Sequence, residues 1–163
     1  MEQQWEEGII KKLTEQIEWC GVLPYPERPA NYFVKHGVGE ILVRYENARY
    51  SAGDAPQYYQ NREVFIELVF VWRRLRGKEE GSQGLYFTVD AVRDALYGYR
   101  LPYSSSCIQF IQEDMIGEDK GIWQYGMKFS FKSVYVAPEK ESGIPAQTIT
   151  VTTESHECSA SSS

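Results

Sequence analysis

The stretch GIWQYGMKFSFKSVYV, residues 121 to 136, sets Trp123, Tyr125, Met127, Phe129, Phe131 and Tyr135 on alternate positions, with Gln124, Lys128, Ser130 and Lys132 between them. A period of two belongs to a β-strand, whose side chains point to opposite faces in turn. Such a strand has an apolar face that water would penalise, so it requires a sheet around it and a layer of structure over that face. Residues 62 to 74, REVFIELVFVWRR, supply a neighbour. Val64, Ile66, Leu68, Phe70 and Trp72 occupy one register and Phe65, Val69 and Val71 the other. Apolar residues on both faces over its second half mark a central strand covered on both sides.

The rest of the chain supplies the covering layer. Residues 5 to 19, WEEGIIKKLTEQIEW, space Ile9, Ile10, Leu13 and Ile17 at helical intervals, an amphipathic first helix closed at Cys20-Gly21. LPYPERP follows, with prolines at 24, 26 and 29 that cannot continue a helix, and reads as an extended strap. VGEILVRYE, 38 to 46, predicts a first strand. In LYFTVDAVRDALYGY, Thr88 is the expected N-cap, Asp90 a first-turn acid, and Gly98 the stop of a second helix. CIQFIQEDMI, 107 to 116, and then 121 to 136 predict two antiparallel strands joined by GEDKG. The expected fold is therefore α+β: a mainly antiparallel sheet of about four strands packed on one face by two helices.

A length of 163 residues corresponds to about one domain. The expected domain runs from 1 to 137. Residues 138 to 163, rich in Ser, Thr and Glu, form an extension expected to order only against a partner, with TITVTT its one segment of β-propensity.

Chemistry is hard to find. The two histidines, His36 and His156, have no metal-ligand spacing around them, and HGVGE lacks the third glycine and preceding strand of a dinucleotide site. Glu113 and Asp114 point to opposite faces of a strand. Glu63 and Glu67 share a face and read as solvated carboxylates, while Ser104, Ser105 and Ser106 sit in a loop with no histidine nearby in sequence. The expectation is no catalytic residue, no cofactor and no metal. A net charge of −6 argues against a nucleic-acid groove. No apolar run approaches the ~18 residues of a membrane span, and the acidic MEQQWEEG start has no leader-like character. Cys20, Cys107 and Cys158, odd in number and widely spaced, read as reduced thiols in a cytoplasmic setting.

What remains is contact surface, consistent with aromatic residues at 14% of the chain. The candidate interface residues are Tyr58 and Tyr59 in the loop 51 to 61, and Arg73, Arg74, Arg76, Lys78, Glu79 and Glu80 in the loop after the central strand. Gln124, Lys128 and Lys132, on the wet face of the last strand, complete the set.

The middle of the chain, QYYQNREVFIELVFVWR, then GLYFTVDAVRDALYGYRLP, then GIWQYGMKFSFKSVYV, resembles the tail terminator, or tail completion, proteins of tailed bacteriophages. The resemblance spans about residues 5 to 136 and rests on patterns of strand, helix and glycine. It implies a structural subunit that joins copies of itself in a ring, typically a hexamer, on the last ring of the tail tube. Such a ring stops tube and sheath growth and meets the neck. The implied partners are the tail tube protein, the sheath protein of a contractile tail and a neck or connector protein, with genomic DNA passing through the lumen unbound. No membrane is involved, and the implied location is the head-proximal end of the virion tail after assembly in the host cytoplasm. A head-tail connector component, or a small-ligand-binding domain or enzyme, are the alternative readings.

Overall fold

A computed structural model describes residues 1–51, 59–77 and 83–138. Helix α1 (Glu2–Gln16) leads into strand β1 (Gly21–Pro24), a strap with one 3-10 turn (Pro29–Asn31), then β2 (Gly39–Tyr50) and β3 (Tyr59–Trp72). Helix α2 (Leu85–Leu96), β4 (Gln109–Asp119) and β5 (Ile122–Val136) follow. The five strands form one sheet in the order β1-β2-β3-β5-β4. The fold is α+β, as expected. The sheet has five strands where about four were expected, because Gly21–Pro24 pairs in parallel with Glu40–Val43. A four-residue strand starting at a glycine and ending at a proline carries no alternation long enough to announce itself.

The two apolar registers meet across the centre of the sheet. Val64 lies opposite Phe131, Ile66 opposite Phe129, Leu68 opposite Met127, Phe70 opposite Tyr125, and Trp72 opposite Trp123. Directly opposed residues project to the same side, and this side is the one the helices cover. Trp5, Ile9 and Leu13 of α1 and Leu85, Val89, Val92 and Leu96 of α2 are buried on it. Trp5 is the largest side chain that α1 buries. It is fully buried, meets the Phe131 ring edge to face at 5.1 Å, and donates from Nε1 to the Pro102 carbonyl at 3.1 Å.

Local signals were mostly obeyed. Lys120 and Gly121, both at positive φ, make the two-residue turn between β4 and β5. Gly98, at φ 71, follows the C-terminus of α2. Thr88 is not the N-cap, however, because α2 starts earlier, at Leu85 after Gly84. A side chain at Gly84 would collide with the backbone of residues 75–77, and this close approach sets where the helix begins. Thr88 therefore faces the core, accepting from Trp19 Nε1 at 3.0 Å and donating to the Gly84 carbonyl at 3.1 Å. Asp90 lies beyond the first turn, where Arg93 pairs with it. Cys20 is a free thiol pushed up to about 12 by burial. Cys107 is disulfide-bonded, so the expectation of three reduced thiols fails there. From residue 139 the C-terminal extension, with TITVTT, lies outside the described residues.

Because Trp5 carries the contact of α1 with β5, Trp5→Ala should destabilise the protein by about 3–5 kcal/mol, read from chemical denaturation. A cost below about 1 kcal/mol would mean that α1 is not anchored there.

Candidate assembly surfaces

The face of the sheet turned away from the helices is covered only in part. At the β1–β2 edge the strap crosses it, packing Tyr25, Tyr32 and Val34 on Leu42, Val69 and Val71. A single buried carboxylate holds the strap down. Glu40, 3% exposed, accepts from the Tyr32 hydroxyl and from the backbone N–H groups of Lys35 at 2.9 Å and His36 at 3.0 Å. Burial pushes this carboxyl upward, but those three donors outweigh it and hold it below its ordinary value. The exposed Arg73 donates to the carbonyls of His36 at 3.3 Å and Val34 at 3.2 Å and ties the strap to the end of β3.

Away from the strap, the same face carries charge. Glu67, on the central strand and 6% exposed, accepts two bonds from the Arg44 guanidinium, which stacks over the Tyr25 ring at 4.8 Å. The register of β2 against β3 skips Glu46, and this extra residue pairs with Lys128 at 2.9 Å. Ser130 donates to Glu63 at 2.9 Å. Glu63 and Glu67 are therefore not two solvated carboxylates: β3 is an interior strand, and both are engaged across it. On the helix side, Arg93 of α2 grips Glu113 of β4 through two bonds at 2.8 and 2.6 Å, and Tyr125 adds a third at 3.1 Å. The Arg93 bonds, ahead of opposing burial, hold the Glu113 carboxyl below its ordinary value. Glu63, Glu67 and Glu113 thus each anchor a neighbouring side chain.

The two ends of the sheet differ. At one end Arg62, 5% exposed, lies over the ring of Trp5 at 4.9 Å and beside those of Tyr50 and Tyr135 at 6.0 and 5.9 Å. Its Nη1 reaches the Tyr50 hydroxyl and its Nη2 the Met1 sulfur, and its buried Nε has no partner. Of these rings, Tyr50 is exposed and Tyr135 partly so, while Tyr59 begins β3 at the same end on the opposite face. At the other end, about 36 Å away along the strand from Arg62 to Arg73, stand the exposed Arg73, Arg74 and Arg76.

These distances sort the residues marked out in the sequence. Tyr59 starts β3, and Arg73, Arg74 and Arg76 follow its end, so the two groups lie at opposite poles. Gln124 and Lys132 are exposed and Lys128 is half-buried on the uncovered face, where the alternation put them. Tyr58, Lys78, Glu79 and Glu80 lie outside the described residues. Arg62 and Glu40 were missed, and Glu67 was read as solvated, because a charged residue that is buried looks like any other charge until the sheet is assembled. Ser104 donates to the Leu101 carbonyl, and Ser105 and Ser106 bond the backbone of Lys132 in β5. Among the described residues no group of His, Cys, Asp and Glu could hold a metal, and no helix is long and apolar enough to cross a membrane.

Residues 9–155 match the Gp37 protein family. The chain belongs to that family. It is thus a bacteriophage protein, with a virion or phage-related location. No curated protein matches it. The part of this Gp37 family member that matches takes in all five strands, the strap and α2, so the partly uncovered face and both sheet edges lie within it.

Three outcomes follow for the Gp37 family chain. Glu40 has a depressed native value, so its contribution is present above the unfolded value near 4.5 and disappears as pH falls through the native one. Acidification below 4.5 should release the strap, read as rising amide exchange in residues 25–38. Glu40→Ala should show that exchange at neutral pH and lose about 2–3 kcal/mol. At the other site, Arg62→Met should leave stability within about 1 kcal/mol, since the rings it stacks on accept an apolar chain and the unpartnered buried Nε is removed. A loss above about 3 kcal/mol would show that the guanidinium holds this end together.

Proposed function

We propose that the protein is a tail terminator. Copies join in a ring, six being the expected number, that caps the tail tube, halts tube and sheath growth and offers a surface to the neck. The observation that carries this reading is the half-covered sheet: its helix-free face bears ordered, ion-paired side chains at the centre and exposed ones toward β4 and β5. A subunit closing a ring needs two unlike surfaces, one for each neighbour, and further ones for tube and neck. The two poles, tyrosine-rich around Arg62 and arginine-rich after β3, are of the kind that axial partners would use. Membership of a bacteriophage family and the tail-terminator resemblance of residues 5 to 136 support the same role.

In this role no bond is broken. The net charge of −6 suits a lumen through which DNA slides without being held.

Purified chain mixed with polymerising tail tube subunit should cap tube ends and shorten tubes, as seen by negative-stain microscopy. Tubes that grow to the same length with and without the chain sink the proposal. Binding to the portal side with no effect on tubes would instead identify a connector component.

A further inference from the structure

The two edges of the sheet are chemically unlike, and both present their distinctive groups on the helix-free face. At the β1 edge the strap leaves a cleft of about 310 Å³, roughly ten water volumes. Its lining includes Leu23, Phe33 and Leu42, with the cations Arg28 and Lys35. Phe33 is 67% and Leu23 43% exposed, so apolar surface stands open to water there. Glu40, the carboxylate beside the cleft, is already consumed by the strap. The cleft is therefore cationic around an apolar floor.

The β4 edge is its opposite. Its register against β5 skips Ile111 and Ile116, so each is the extra residue of a bulge, 48% and 53% exposed. Bulges spoil an edge as a template for strand addition, and what this edge offers instead is protruding isoleucines. Ile116 lies within ordinary contact of the space above Gly126, where Glu67 also ends, which puts it on the helix-free face. Asp114, opposite Gly126, and Asp119, opposite Ile122, project to that same face and are exposed. The segment Gln109–Asp119 carries four carboxylates and no cation.

We infer that the β4 edge of one copy docks on the strap cleft of the next, with Ile116 entering the cleft and Asp114 and Asp119 meeting Arg28 and Lys35. The sheet order places the two surfaces at opposite edges, so one chain cannot satisfy both by itself. The contact is heterologous and repeats head to tail, closing when the rotation per copy completes a turn. As the contact around a ring it rests on the terminator reading, but as a contact between copies it is tested separately.

All four charged positions and Ile116 are exposed, so substitutions there leave the core intact. Sedimentation velocity of the full chain over rising concentration should show self-association. Asp114→Lys with Asp119→Lys, and separately Arg28→Glu with Lys35→Glu, should each weaken it by about tenfold or more. An equimolar mixture of the two variants should recover it, because each reversed surface then finds its complement. Ile116→Ser should weaken association without any change of charge. A wild-type chain that stays single at every concentration, or association indifferent to the strap variant, overturns the inference. If association follows the charges while tubes grow on uncapped, the terminator reading falls and the contact stands. Capping by all variants alike leaves the terminator reading and removes this contact from it.

Discussion

The structure depends on one pairing: β3 against β5, antiparallel over fourteen residue pairs, with the apolar registers of both strands on one side. Five consecutive apolar pairs, from Val64 with Phe131 to Trp72 with Trp123, make a continuous surface that water would penalise along its whole length. A slip of one residue would turn every one of them to the other face. The helices follow from this surface. Trp5, Ile9 and Leu13 recur at the four-residue spacing that keeps one helix face toward it, and Leu85, Val89, Val92 and Leu96 do the same for α2.

The other face is governed by electrostatics and short apolar patches. Leu42, Val69 and Val71 are covered there by the strap with Tyr25, Tyr32 and Val34, while Phe65 on the same face lies under the Arg49 guanidinium. Beyond them the face is kept in place by matched charges, Arg44 with Glu67 and Lys128 with Glu46. Paired charges at a partly dry surface add little stability but restrict what can dock against them. Such a face suits a subunit whose neighbours must arrive in one orientation.

The long alternations were legible in the sequence because a strand half in oil and half in water has to advertise both environments at every step. The double-faced second half of β3 and the glycine after α2 were legible for similarly local reasons. Other features answered to partners far along the chain. β1 exists because β2 offers it an edge, α2 begins at Leu85 because Gly84 touches backbone at 75–77, and Glu67 is dry because its strand became central. The bulges that expose Ile111 and Ile116 are differences of register between two strands, and neither strand records them alone.

By itself, then, the sequence determined the α+β class, the central strand and the wet face of the last strand, since hydrophobic periodicity is written residue by residue. The tertiary structure alone decided which carboxylates became anchors, which cation was buried against aromatic rings, and which edge became acidic and which basic. Those properties depend on the dielectric and the neighbours that surround a charge, and both come into being only when distant segments are brought within a few ångströms.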